Sequence, residues 1–495
     1  MRTYARTLTV FVASLVLAAC NEALIPDFNT LTGFPHSVSA LQNEFSGALQ
    51  GARSDVGAFT LSTDAFARSA AYYTPSEPRF VTEWTGDAAL DDDNFGAGIW
   101  ANMYTTVKTA DTIIGILPTL TNNGTSIPTA SIKALQGVME TTKALAYMYV
   151  ALTHDTNGVA MNNPGGPITG NLAPILCARD SWKEIVAMLD TAKAELDAAG
   201  PGTTLGVPNS SFTLQLPPGF SALGSTAGSF EGLTLALRGR ARIEYAYAIA
   251  RGPGGTPPTA TAPGSPDQSQ LDSAITDITS SSLYTSSLSS GEAVAANDLG
   301  AFHSWSSAAG DVSNQIFGFA ASVFVLEGAA KQIDTLHDQR FLAKFAIAPG
   351  LPTSPGASLA SSYAYLNNIG LATPTPIVRN VELQFLLARA YLGTGQLTQA
   401  AHTVDAVRTT VGGLASGLPG VNTADYASVR DFLMREMLPS LMEDGTGDQI
   451  VALRDYNLIM QDLTTWGSAD FHTSMMNIPA VERTQRNNNF VTVCQ

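Results

Sequence analysis

Charge is sparse in this sequence, and what there is leans acidic: 14% of the 495 residues are charged, with 26 Lys and Arg against 42 Asp and Glu. The formal net charge of −16 makes nucleic acids and anionic lipid surfaces poor partners, because both would repel the chain. Long apolar runs are also few. The run Leu8 to Ala19 is shorter than the roughly 20 residues that a membrane-spanning helix needs, and no other segment is long and apolar enough. Cysteine is limited to Cys20, Cys177 and Cys494, without CxxC spacing or a nearby His that would suggest thiol catalysis.

Catalytic and metal-binding signatures are missing too. The histidines His36, His154, His303, His337, His402 and His472 show no HExxH or paired ligand spacing, and there is no GxSxG elbow or phosphate-binding P-loop. Asp87, Asp91, Asp92, Asp93 and Asn94 could offer oxygens to calcium. The stretch fails the EF-hand template at Phe95 and Asn102, so it reads as a solvated acidic loop. No metal, cofactor or catalytic residue is expected. A pair of carboxylates arranged as in a glycosidase stays open, since sequence does not give their separation.

The amino terminus is informative. Arg2 and Arg6 precede the apolar run, and Leu17-Ala18-Ala19-Cys20 leads into polar Asn21 and Glu22, the pattern of a secretory signal ending in a bacterial lipobox. Residues 1–19 are read as signal peptide and 20–35 as a tether lipidated at Cys20, whose three acyl chains would anchor an otherwise soluble chain to a membrane. Removing Arg2 and Arg6 with no acid takes the net charge from −16 to −18. In an exported chain the remaining Cys177 and Cys494 are expected to form a structural disulfide.

Apolar residues recur at helical spacing over Gly98–Leu117, Ile132–Leu152, Trp182–Ala198, Phe230–Ala250, Val381–Leu392, Thr398–Val411 and Ala424–Met442, so the fold is expected to be mainly α. Between them, Gly200–Gly228, Gly252–Ser269, Pro349–Pro376 and Gly412–Gly420 are rich in Gly, Pro, Ser and Thr and read as long loops. Three helices place small residues beside tyrosine: Ala144, Ala146 and Tyr147; Ala241 and Tyr245; Ala388, Ala390 and Tyr391. The last runs on through Gly393 and Gly395 to Ala400-Ala401, the grammar of a tetratricopeptide-like helix pair within a degenerate repeat.

The order of these motifs resembles the SusD/RagB family of surface nutrient-binding lipoproteins. The resemblance begins with Trp100, Tyr104, Val107, Ala110, Ile113 and Ile114, and continues with Glu140 to Tyr147 and Trp182 to Leu196. Its more specific half is Gln315-Ile316-Phe317, Asp338-Gln339-Arg340, Pro376 to Glu382, Leu386 to Ala390, Arg435-Glu436, Glu443-Asp444-Gly445, Asp448 to Arg454 and Ile478 to Glu482. Asp111 departs from a usual asparagine and Arg389 from a usual glutamate, while Thr446 and Gly447 replace an arginine and an aromatic. The resemblance implies a SusD-like fold with tetratricopeptide-like helix pairs and long irregular loops, in one compact body of regions 36–300 and 301–495. It further implies a non-catalytic protein of the cell outer membrane, facing the exterior beside a SusC-like TonB-dependent transporter.

For a neutral oligosaccharide, flat aromatic faces ringed by polar groups are the expected site. Aromatics on loops are the candidates: Trp84 and Trp305 first, then Tyr73, whereas Trp100, Tyr104 and Trp182 fall on helical spacing and read as core. The pairs Arg379 with Glu382 and Asp338 with Arg340 read as structural ion pairs and caps. Peptide or other small-nutrient cargo, a surface glycosidase and a plain assembly scaffold are the alternatives.

Overall fold

The computed structural model describes residues 38–74, 77–85, 90–91, 97–122, 124–161, 172–210, 212–308, 311–348, 360–367, 369–459 and 473–486. Its helices include α1 (Val38–Gly51), α2 (Val56–Phe66), α3 (Ala97–Ile116), α4 (Thr129–His154), α5 (Ala178–Ala199), α6 (Ala227–Arg251), α7 (Gln268–Ser280), α8 (Gln339–Lys344), α9 (Asn380–Gly393), α10 (Leu397–Ala406), α11 (Tyr426–Leu441), α12 (Asp448–Asp455) and α13 (Ala480–Gln485). The periodic segments are therefore helices with their ends moved by a few residues, and α10 continues into a π-helical turn, Val407–Val411.

The long helices stack in chain order. α3 packs on α4, α4 on α5, α5 on α6, α6 on α7, and α7 passes the stack to α9, α10 and α11. This is the arrangement expected of degenerate helical repeats, each unit burying its neighbour's apolar face. In α4 every residue from Thr141 to His154 is buried, so this helix is enclosed on all sides. α6 starts at a capping box between Thr226 and Ser229. At Gly239 a Cβ would lie 2.5 Å from Ile278 Cγ1 and 3.2 Å from the Ala274 carbonyl, so only a glycine lets α6 and α7 approach this closely.

Short strands lie between the helices, and of the segments read as long loops Pro349–Pro376 holds one whole strand and the start of another. β1 (Ala70–Tyr72), β2 (Gly300–His303), β3 (Val323–Leu326), β4 (Phe345–Ile347), β5 (Ala360–Tyr365) and β6 (Thr375–Arg379) form an antiparallel sheet of order β1-β3-β5-β4 and a separate β2-β6 pair. These strands are three to six residues long and give little alternation to read. One hydrophobic cluster runs from Val38 to Ile478, across position 300. α12 closes the body by packing on both α2 and α6.

Buried ion pairs cross this core. Arg379, at the start of α9, donates to Asp444 (2.8 Å), Asp298 (3.1 Å) and the Ser440 carbonyl (2.8 Å). Lys344 pairs with Asp444 at 2.7 Å and donates to the Ser440 and Met442 carbonyls. Arg240 of α6 reaches Asp448 (2.7 Å) and Glu382 (3.3 Å), and Arg389 of α9 bridges Glu244 (2.8 Å) and Asp455. Asp338 caps α8 by accepting from the Arg340 N–H, and Arg340 also pairs with Glu436 at 2.7 Å. Glu382 accepts from the Arg379 backbone N–H at 3.4 Å. Both charged pairs singled out in the sequence are thus caps and ties.

Two of the positions singled out in the sequence have local contacts of their own. Asp111 pairs with Lys143 at 3.0 Å. Gly447 has φ +70°, and a Cβ there would stand 3.0 Å from Phe59 Cζ, so the turn into α12 can touch α2 only without a side chain.

Asp64 of α2 belongs to the same network: its Oδ2 accepts from the Glu443 N–H (2.7 Å) and its Oδ1 from Ser69 Oγ (3.0 Å). Burial pushes its carboxyl up to about 6, against the pull of these hydrogen bonds and of Lys344, and burial with the Asp64 charge holds Glu443 above its ordinary range. The folded Asp64 keeps its proton where the unfolded one, near 3.8, has released it. Stability from this group is complete below 3.8 and lost as pH rises through about 6. Asp64→Asn mimics the protonated acid, so urea unfolding at pH 5 and 8 should show wild type losing about 1 kcal/mol more than the variant. Equal pH dependence would contradict a buried Asp64 that holds its proton above the ordinary range.

Candidate ligand cleft

Three segments meet at an open cleft of about 200 Å³. The end of α1 brings Ser46, Leu49 and Gln50, and the turn after it brings Arg53; Gln215, Pro217, Pro218 and Phe220 come from the segment before α6; His303 ends β2, and Ser304 and Asp311 follow it. Leu49, the two prolines and Phe220 make an apolar wall, with the exposed amides of Gln50 and Gln215 at its rim.

Arg53 organises the charged end. Its guanidinium lies 5.3 Å from the centroid of the Trp305 ring and donates to the Ser304 carbonyl and the Asp311 carboxylate. Partial burial of Asp311 is outweighed by Arg53 and by the Val312 N–H, which hold its carboxyl below the ordinary range. Ser304 Oγ accepts from the Gly219 N–H at 2.6 Å, tying two walls together. His303 Nε2 lies 2.8 Å from the Tyr149 hydroxyl, and burial, then Arg53, lowers its imidazole to about 3. The cleft offers hydrogen bonds over an apolar wall, with a neutral imidazole and an already paired carboxylate. That suits capture of a polar, uncharged ligand better than proton transfer.

The loop indoles sit differently from the expected platforms. Trp84 is fully buried, edge-on to Phe80 at 4.9 Å in a chain of rings through Tyr72 to Phe319. Trp305 is 5% exposed, and its Nε1 donates to Thr375 Oγ1 at 3.0 Å. Neither presents an open face, because both loops fold back onto the body; Trp305 supports the cleft through Arg53. Tyr73 is half-buried, tilted on Phe324 at 6.2 Å, with its N–H donating to Ser322. Cys177, at the N-cap of α5, is disulfide-bonded, and its expected partner Cys494 lies outside the described residues, as do Cys20 and most of the acidic loop.

Sequence reasoning missed Gln50, Arg53, Gln215 and Asp311. Arg53, Gln215 and Asp311 are isolated polar residues in turns and loops, Gln50 lies on the exposed face of α1, and no local pattern marks their meeting. Trp100 lies in the core, as read from the sequence, with Tyr104 packed against it, and together with Tyr147 they also line a second groove of about 270 Å³.

No family sequence model and no characterised protein sequence matches the chain. Solved structures do. NanU of B. fragilis is 12% identical over 90% of this chain and 95% of its own, with a TM-score of 0.61. A SusD superfamily protein of Bacteroides thetaiotaomicron is 13% identical over 91% and 98%, with a TM-score of 0.62. A laminarin-binding SusD-like protein is 15% identical over 89% and 96%, with a TM-score of 0.56.

A buried, neutral His303 is testable directly: its imidazole proton resonances should stay constant from pH 8 to pH 5, and a midpoint near the ordinary 6.5 would contradict the packing. The helix stack, the short sheets and the end-to-end correspondence with these structures lead to one identification: the chain has the SusD-like fold.

Proposed function

We propose that this chain is a non-catalytic surface lipoprotein that captures a nutrient, a glycan fragment, and delivers it to a TonB-dependent outer-membrane transporter. The observation that carries the reading is the cleft between α1, the Gln215–Phe220 segment and the Ser304–Asp311 segment, where exposed amides and one Arg–Asp pair border an apolar wall. Sugars need both kinds of contact, since their hydroxyls seek hydrogen-bonding partners and their C–H faces seek apolar surface. A laminarin-binding protein among the structures of the same fold supports glycan as the cargo class. Acylation of Cys20 would supply the anchor, and no helix among the described residues is long and apolar enough to cross a membrane. Ligand held between the cleft and the transporter would pass inward as the complex closes, with the energy supplied by the partner.

Calorimetric titration against a panel of oligosaccharides and peptides tests this. An oligosaccharide should bind without being turned over. Gln50→Ala and Gln215→Ala, both exposed and harmless to folding, should each weaken binding by about threefold to tenfold, the loss of one hydrogen bond. Binding only to peptides would change the cargo, and product release from the oligosaccharide would overturn the non-catalytic reading.

A further inference from the structure

Among the described residues that line the ligand cleft, only Arg53 and Asp311 carry a full charge, and they are paired with each other. With His303 neutral, the cleft presents no net charge to a ligand. The two members of the pair are held in different ways. Arg53 is fixed from inside: its guanidinium lies over the Trp305 ring and donates through Nη1 to the carbonyl of Ser304, a residue tied in turn to Gly219. Its side chain is 10% exposed, against 27% for Asp311. Asp311 comes from a surface turn, closed by the Ser306 N–H donating to the Val312 carbonyl at 3.0 Å and the Asp311 N–H donating to the Ala308 carbonyl at 3.1 Å. Its Oδ1 accepts both from Arg53 Nη2 and, at 2.9 Å, from the Val312 N–H.

The turn thus sets one negative charge against an arginine that two other contacts already hold. A guanidinium is the natural fork for a carboxylate, so an uncompensated Arg53 would draw acidic ligands into the cleft. Asp311 occupies that fork. Its own charge, still partly open to solvent, also stands against any incoming carboxylate, and the repulsion is stronger beside an apolar wall than in open water. An uncharged sugar meets no such penalty, because its hydroxyls can accept from the remaining guanidinium N–H groups and donate to the Asp311 carboxylate.

We propose that Asp311 is the specificity-determining residue of the cleft: by cancelling Arg53 it restricts capture to uncharged sugars, and removal of its charge converts the same cleft into a binder of carboxylate-bearing sugars. The inference rests on the glycan-capture reading above. It assigns discrimination to one residue of a surface turn, while the apolar wall and the exposed amides supply affinity for either kind of sugar.

Calorimetric titration of the full chain at neutral pH tests this with two probes: the neutral oligosaccharide of the panel that binds best, and the same oligosaccharide with its C6 alcohols oxidised to carboxylates. Wild type should favour the neutral probe by at least about tenfold. Asp311→Asn keeps the shape and an acceptor for Arg53 and the Val312 N–H, and it should move the ratio of the two affinities toward the acidic probe by at least about tenfold, a gain that shrinks in about 0.5 M salt. Asp311→Glu, which keeps the charge, should keep the wild-type preference. An unchanged ratio in Asp311→Asn, or wild type binding both probes equally, overturns the role of Asp311 and leaves glycan capture standing. A shift in Asp311→Glu as large as that in Asp311→Asn traces the effect to shape and overturns it as well. Absence of binding by every oligosaccharide of the panel removes the capture reading, and this inference with it.

Discussion

The structure depends on keeping its few cations paired inside. Arg240, Arg340, Arg379, Arg389 and Lys344 are all buried, each facing at least one carboxylate. Moving a charge out of water costs several kcal/mol unless partners and hydrogen bonds replace the lost solvent, so these side chains fix the segments that supply the partners. The partners come from α6, α9, α11 and α12, from the cap of α8, from Asp298 before β2, and from Asp444 in the turn between α11 and α12. The helix stack, the β2-β6 pair and the closing helices therefore share one set of electrostatic ties.

Those ties reach the cleft. Arg379 ends β6, and Thr375 at the other end of that five-residue strand accepts from the Trp305 indole. Trp305 lies under Arg53, and Arg53 holds Ser304 and Asp311 in place. A site built from the end of α1 and two irregular segments is thus set in advance by a rigid strand, which lowers the ordering cost of binding. Trp305 thus acts from beneath the cleft, by orienting the polar groups above it, and not as an open aromatic face.

Helices were legible in the sequence because α3 to α6 and α9 to α11 repeat their apolar residues over many turns, and small residues such as Gly239 and Ala388 mark where they cross. The cap pairs at Arg379–Glu382 and Asp338–Arg340 were legible because both members are neighbours in sequence. Arg389 was not, since Glu244 and Asp455 lie 145 and 66 positions away. Trp84 and Trp305 misled for a related reason: in a segment without periodicity, nothing local tells a ring folded inward from one left open. The strands of the Pro349–Pro376 region were too short to declare themselves, and the polar rim of the cleft is a product of tertiary assembly alone.

The most direct measurement of the central claim is a double-mutant cycle on Arg389 and Glu244, whose side chains meet at 2.8 Å in the closed core. Equilibrium unfolding of Arg389→Met, Glu244→Leu and the double variant should give a coupling of about 1–3 kcal/mol, with the double variant more stable than the sum of single losses allows. Strict additivity of the two losses would contradict the view that buried ion pairs hold this fold together.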